Sequence, residues 1–285
     1  MPLVSQTEML QRARSAGYAV GAFNISDVDT ALAVLEAAET ENAPVIIQIW
    51  GGVFDCTDPK ALVSATRCII ESSPVPATLH LDHSLTIEQI EMGIDLGFSS
   101  VMIDGSTKPL AANEELVRAV VMMARASGVD TEAELGHVGS DYGGGEGALD
   151  RSVLTDPDEA REFVSNTQVD TLAVAIGTSH GLYRAEPSLD FQRLKEISQS
   201  IAIPLVLHGG SGVPDDQIRK AVERGISKIN VATEMNAAFR DTLERALADN
   251  DYPEFPCMLM HPARKAMRDV AIRKIRLFGS SGKAK

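Results

Sequence analysis

Ala77-Thr78-Leu79-His80-Leu81-Asp82-His83-Ser84 is a short apolar run that ends in a carboxylate and an imidazole. Pro74 and Pro76 disfavour helix at the residues just before each of them. Behind the run, Thr86-Ile87-Glu88-Gln89 opens a helical pattern. The stretch therefore reads as a buried strand that delivers a potential metal ligand and a potential proton carrier to one rim. Two later runs end alike. Ala173–Ile176 passes through Gly177-Thr178-Ser179 to His180, and Leu205–Leu207 runs straight into His208.

Outward from this stretch, apolar runs alternate with helical patterns. The runs are Ala19–Ile25, Val45–Ile49, Thr78–Leu81, Val101–Asp104, Thr131–Leu135, Leu172–Ile176, Leu205–Leu207 and Lys228–Val231. Between them lie helical patterns such as Asp29–Glu41, Ile87–Leu96, Leu110–Ala126, Phe191–Ser198, Asp215–Glu223 and Glu234–Ala248. Continuous apolar strands imply a parallel sheet buried on both faces. Eight such units in a chain of this length predict an α/β fold of the (β/α)8 TIM-barrel type. The competitor is an open doubly wound sheet, which would gather its polar residues at one switch point. Here Asn24, Asp82-His83, Asp104, Glu134, His180, His208 and Asn230 close many different runs, as the single mouth of a barrel requires. His261 to Phe278 reads as an additional C-terminal helix.

The 285 residues show no linker or composition break, so one domain over 1–285 is expected, with a frayed tail at 279–285. The net charge of −14 argues against nucleic-acid binding, which needs Lys and Arg to neutralise phosphates. Any anionic substrate must be drawn in by a local field, such as a metal dication or helix N-termini. No apolar run reaches the roughly 18 residues of a membrane helix, and the first residues carry no secretion signal. Cys56, Cys68 and Cys257 are few and scattered, which suggests a reducing, cytoplasmic setting without disulfides.

Of six histidines, His80 reads as a hydrogen-bonded strand residue, His261 as a helix start, and His137 is open between a structural and a site role. His83, His180 and His208 each end a strand or enter the loop behind it. Three neutral imidazoles with an open fourth position form a recurrent catalytic zinc arrangement. The reading is one zinc on these three, beside Asp82. Two further stretches suggest a phosphate cradle: His208-Gly209-Gly210-Ser211-Gly212-Val213-Pro214, and Asn230-Val231-Ala232-Thr233. Backbone N–H groups at glycines and a helix start favour anions, and barrels often grip phosphate after strands seven and eight.

Together the motifs resemble the class II, zinc-dependent ketose-bisphosphate aldolases of the fructose- and tagatose-bisphosphate type. The matching stretches are Gly21-Ala22-Phe23-Asn24, His80-Leu81-Asp82-His83, Val101-Met102-Ile103-Asp104-Gly105-Ser106, Glu132-Ala133-Glu134-Leu135-Gly136, Gly177-Thr178-Ser179-His180-Gly181-Leu182-Tyr183, His208 to Gly212, and Lys228 to Thr233. They run in family order over nearly the whole chain. The resemblance implies an aldehyde-lyase that splits a phosphorylated ketose, a 1-phosphate or a 1,6-bisphosphate, into dihydroxyacetone phosphate and an aldehyde. His83, His180 and His208 would hold Zn2+, with Glu134, alone or with Glu132, as an alternative position. A solvated strand-end carboxylate is the equal reading for Glu132. Asp82 would carry the C4 hydroxyl proton, or orient a histidine ligand, or both. Asn24, Gly181, Gly209, Gly210, Ser211, Asn230, Val231, Ala232 and Thr233 would line the substrate. A monovalent cation, Na+ or K+, would sit near the phosphate loop, and the protein would be a homodimer or homotetramer.

Three departures from the family pattern stand out. Trp50 takes the place of a phosphate-binding serine after the second strand, and Asp251 to Pro256 lacks an expected arginine, for which Arg184 or Arg264 are replacements. Losing two charged hydrogen bonds would cost about 3–6 kcal/mol, a factor of roughly 10²–10⁴. That points to a ketose 1-phosphate, or a less polar aldehyde, in preference to a bisphosphate. In the loop after Glu134, Tyr142 stands where a proton-exchanging glutamate is expected, and Glu146 is the other candidate. Three rival readings are a Schiff-base aldolase using Lys228, a metal hydrolase built on His80 and Asp82-His83, and a non-catalytic barrel subunit supporting a partner enzyme.

Overall fold

The computed structural model describes residues 3–139, 153–181, 183, 185–248 and 255–284. Eight parallel strands, β1 (Val20–Asn24), β2 (Val45–Trp50), β3 (Ala77–Ser84), β4 (Ser100–Ile103), β5 (Asp130–Leu135), β6 (Thr171–Val174), β7 (Leu205–Leu207) and β8 (Ile226–Val231), pair in chain order. The barrel closes where β8 pairs with β1, Ala22 opposite Asn230. Helix α1 (Gln6–Ala16) precedes the first strand. Then α2 (Val28–Glu41), α3 (Pro59–Ser72), α4 (Ile87–Leu96), α5 (Leu110–Ala126), α6 (Pro157–Thr167), α7 (Phe191–Ser200), α8 (Asp215–Glu223) and α9 (Thr233–Ala248) follow the eight strands in turn, and α10 (Pro256–Leu277) ends the chain. The fold is a (β/α)8 barrel with an extra C-terminal helix.

The strands are buried along most of their length, with Trp50 at the end of β2 the exposed exception, but their two faces differ. Outward residues such as Ile47, Ile49, Leu79, Leu81, Leu172, Val174, Ile229 and Val231 join the apolar layer beneath the helices. Gln48, His80, Asp82, Glu132, Glu134, Lys228 and Asn230 occupy the intervening positions and are buried too. Alternate residues of a strand point to opposite faces, so the barrel lumen is polar above its floor. The floor is apolar. Met9, Leu10 and Ala13 of α1 pack there on Val20, Ala22 and Ile46. Helix α1 is fastened across the strand starts by Val4 N–H donating to the Ala77 carbonyl (3.1 Å) and Ser5 Oγ to Asp130 (2.7 Å).

Local sequence sets the helix starts. Asp27 and Thr30 form a reciprocal capping box at α2, and Asp58-Pro59 and Asp156-Pro157 put a side-chain cap and a first-turn proline at α3 and α6. Helix α10 starts at Pro256, earlier than expected. His261 therefore lies inside it, not at its start, and Nδ1 of His261 is 3.1 Å from the Arg264 guanidinium. The tail expected to fray is instead tied down as far as Ala284. Gly282 and Ala284 N–H groups donate to the Glu41 and Asn42 carbonyls at 2.8 and 3.0 Å, and Ser281 Oγ reaches the Glu41 carboxylate at 2.7 Å. Among the described residues, no helix is long and apolar enough to cross a membrane.

Candidate metal centre and substrate cavity

The C-terminal ends of the strands open on a cavity of about 690 Å³ lined in part by Asn24, Trp50, Asp82, His83, His180 and Asn230. Asp82 and His83 are consecutive, so an undisturbed pleat would send them to opposite faces. It does not. The β3–β4 register shifts between Leu81 and Ser84, and His83 adopts the left-handed conformation at φ 48°. This bulge turns both side chains into the lumen, at a strain of about 1–3 kcal/mol for a non-glycine residue.

His83, His180 and His208 converge there. The ring centroids lie 5.0 Å (His83–His180), 4.7 Å (His83–His208) and 5.8 Å (His180–His208) apart. One nitrogen from each falls within 4.8 Å of the others, and a second set of His83, Asp104 and Glu134 atoms meets the same limit. The far side of two rings is already committed. Nδ1 of His83 is 2.8 Å from Asp104, and Nε2 of His208 is 3.0 Å from Glu132. Their inner nitrogens, His83 Nε2 and His208 Nδ1, together with Glu134 Oε2, are buried without a hydrogen-bond partner. His208 Nδ1 and Glu134 Oε2 lie 3.0 Å apart, but not aligned for a hydrogen bond. Buried, unsatisfied donor atoms on two converging rings and a neighbouring carboxylate fit a divalent cation. Carboxylates behind the rings are the usual orienting partners of metal-bound histidines.

The electrostatics of the metal-free cluster differ from ring to ring, and a cation would have to displace the proton that the neighbouring carboxylates favour on His83 and His208. Burial and the neighbouring His83 and His208 push His180 down to about 4, so it stays a neutral imidazole. Burial opposes a charge on His208, yet Glu132 and Glu134 together lift it to about 10. Burial also works against the Asp104 anion, but His83 and Ser106 hold that carboxyl well below its ordinary range. The cluster carries more negative than positive groups and calls for a cation.

Asp82 sits beside the cluster in a cage of amides. Asn24 Nδ2 donates to Oδ2 at 2.9 Å, Gln48 Nε2 to the same oxygen at 3.3 Å, and Asn230 Nδ2 to Oδ1 at 3.3 Å. Burial alone would raise its pKa, but His83, His208 and Lys228 hold it below its ordinary value. Asp82 Oδ1 is 4.0 Å from His83 Nε2.

Other expected residues divide. Gly181, Gly209, Ser211, Ala232 and Thr233 line the cavity, as Trp50 does. Val231 does not, because its side chain packs in the outer apolar layer. Gly210 is also withdrawn, since its N–H donates to the Asn230 carbonyl at 3.0 Å. A Cβ at Gly210 would come within 2.5 Å of Ile229 Cγ2 and 2.8 Å of that carbonyl, so this glycine serves packing. The Gly212 N–H is likewise taken, by the Glu234 carboxylate, which Lys274 Nζ meets at 2.6 Å. Glu132 is not solvated. It is fully buried at 2.6 Å from Lys228 Nζ, which leaves no free amine for a Schiff base. His80 is neutral, pushed down to about 3 by burial and Lys228, with Nδ1 at 2.9 Å from Ser100 Oγ. His137 joins the cavity wall, its Nδ1 2.9 Å from Ser106 Oγ. Arg264 is held by Asp29 and Glu36 at 3.5 and 3.6 Å and does not line the cavity. Tyr142, Glu146 and Arg184 lie outside the described residues.

Sequence reasoning named Asp104 only as a strand-end polar residue and passed over the Asp82 cage role of Gln48. Alternation held the signal, since Gln48 lies two residues before Trp50 on β2, and Glu132 two before Glu134 on β5.

Residues 4–283 match the family model for class-II fructose-bisphosphate aldolase. A fructose-bisphosphate aldolase of Geobacillus stearothermophilus is 42% identical over 289 residues, covering 100% of this chain and 99% of that protein. Among solved structures, the YdjI aldolase of Escherichia coli K12 superposes with a TM-score of 0.89 at 34% identity, covering 99% of this chain and 100% of that one. The fructose-bisphosphate aldolase of Campylobacter jejuni does so with a TM-score of 0.82 at 25% identity, covering 99% and 97%.

Proposed function

Because the chain belongs to the class II fructose-bisphosphate aldolase family, we propose that it reversibly cleaves a phosphorylated ketose into dihydroxyacetone phosphate and an aldehyde, using Zn2+ held by His83, His180 and His208. The observation that carries this reading is the convergence of partnerless His83 Nε2 and His208 Nδ1 beside the caged Asp82. A zinc ion on these donors would act as a Lewis acid at the ketose carbonyl and stabilise the negative charge left by carbon–carbon cleavage.

The protein's own residues do the rest. Asp82, kept anionic, accepts the C4 hydroxyl proton as the C3–C4 bond breaks. The electron pair stays on the dihydroxyacetone half, and C4 becomes the aldehyde carbonyl. In condensation the same carboxyl returns the proton. The amides of Asn24, Gln48 and Asn230 fix the carboxylate so that its orientation is set before substrate arrives. Asp104 and Glu132 hold the His83 and His208 rings by their outer nitrogens. Glu134 offers an alternative donor on the same side as His83 and Asp104. Gly181, Gly209, Ser211, Asn230, Ala232 and Thr233 receive the dihydroxyacetone phosphate half, with Na+ or K+ assisting at those loops. Either Tyr142 or Glu146 handles the proton on that half. The proposal includes one domain over the whole chain, a cytoplasmic setting, and a homodimer or homotetramer.

The test is release of dihydroxyacetone phosphate from a panel of ketose phosphates by zinc-loaded protein. Asp82→Asn should lower kcat by about 10²–10⁴ with zinc stoichiometry unchanged. A variant that keeps full turnover removes Asp82 from the chemistry. Failure of every ketose phosphate, with zinc bound, would instead favour a non-catalytic barrel.

A further inference from the structure

Asp82 and Trp50 are direct neighbours across the β2–β3 pairing. If Asp82 exchanges the C4 proton, the aldehyde half of the ketose lies beside Trp50 on this side of the cavity. The wall it meets is mostly apolar: Trp50 at the end of β2, Val53 behind β2 and Leu85 behind β3, with Ile25 and Ser26 behind β1. Trp50 and Leu85 are 53% and 65% exposed, open to whatever enters the cavity. The outer edge of the indole packs against Gly52. A Cβ there would come within 2.5 Å of Cζ3 and 2.7 Å of Cζ2. The described cavity residues include no lysine or arginine, while Asp82 and Asp104 put two carboxylates in the same cavity. A phosphate at this end would lose water and meet no cation among the described residues, which is costly. A methyl or alkyl terminus would gain by covering the indole and Leu85.

We infer that the substrate of this site is a ketose 1-phosphate with an unphosphorylated, apolar end, a 6-deoxy or alkyl-terminated sugar, with Trp50 as the residue that selects it. The inference rests on the aldolase reading above, but its test does not need turnover.

Trp50 is the sole tryptophan, so intrinsic fluorescence reports contact at this wall directly. Zinc-loaded protein is titrated with 6-deoxyfructose 1-phosphate, fructose 1-phosphate and fructose 1,6-bisphosphate. The expected result is a change in Trp50 emission with the two monophosphates and at least about 10-fold tighter binding of the deoxy compound than of the bisphosphate. In the condensation direction, kcat/KM with lactaldehyde should exceed that with glyceraldehyde 3-phosphate by about 10-fold or more. Trp50→Ser should erase that ratio through KM for lactaldehyde, since loss of one apolar contact is worth about 10–200-fold. Tighter binding of the bisphosphate, or emission unmoved by every ligand, overturns the inference whether or not cleavage occurs. Selective binding without turnover supports it and overturns the aldolase reading.

Discussion

Replacing Lys228 with methionine isolates the buried charge beneath the metal centre. Glu132 Oε2 lies 2.6 Å from Lys228 Nζ and accepts from Gln6 Nε2 at 3.2 Å, while Oε1 is 3.0 Å from His208 Nε2, all buried. Removing the ammonium leaves a carboxylate with too little compensation. Breaking one half of such a pair costs about 3–5 kcal/mol. A chain of 285 residues unfolds with an entropy of about 0.6 kcal/mol/K, so Tm should fall by about 5–8 °C. Removing both charges, as Lys228→Met with Glu132→Leu, should recover at least half of that loss, since a buried pair is often replaceable by apolar side chains. Stability and metal binding should then part company. Without Glu132, Nε2 of His208 has lost its acceptor and the ring its orientation, so zinc affinity should fall about 10–100-fold. Thermal melts of metal-free protein and competition against a chromogenic chelator read the two quantities separately. A double variant no more stable than Lys228→Met alone, or one that binds zinc as tightly as the parent, would refute the reasoning.

Chelation of the metal should abolish cleavage reversibly, and zinc at about 100 times its Kd should raise stability by about 2.7 kcal/mol, seen as a Tm increase of about 4–5 °C; unchanged activity after complete stripping rules out metal chemistry. Gly210→Ala should destabilise by about 1–3 kcal/mol because its Cβ collides with Ile229 and the Asn230 carbonyl, and a denaturant midpoint equal to the parent's would show that the loop yields. The tail gives the pH prediction. Its Arg276 and Ser281 partners hold the Glu41 carboxyl below its ordinary 4.5, so this anchoring is complete above that pH and is lost as pH falls through the lower folded value. Amide protection at Gly282 and Ala284 should drop as pH falls through that lowered value, and protection that is flat with pH assigns the anchoring to the backbone bonds alone.

Much of this was legible in the sequence because barrels reveal themselves by where polar residues fall. His83, His180 and His208 each close a strand, and strand ends of a barrel must meet. The limits of Ile87–Leu96, Leu110–Ala126 and Asp215–Glu223 were legible too, being bounded by clear amphipathic patterns. What escaped was chiefly inside the barrel. Glu132 looks like a solvated carboxylate until period-two alternation places it below Glu134, facing Lys228 from the far side of the lumen. That contact spans 96 residues and no local pattern encodes it. Asp58-Pro59 and Asp156-Pro157 mark the starts of α3 and α6 by a side-chain cap followed by a first-turn proline. The glycine loop misled in another way. Composition alone makes every N–H there a phosphate donor, whereas Gly210 and Gly212 spend theirs on Asn230 and Glu234.

The extra residue in β3 has a consequence for how this barrel tolerates change in length. Because the pleat slips by one step at His83, the strand counts differently below and above that point. Between Leu81 and Ser84 stand only Asp82 and His83, so a deletion that restored the even count would remove the carboxylate or the imidazole itself. The bulge and the two groups it presents are therefore one feature, and the strand cannot be shortened there without losing one of them.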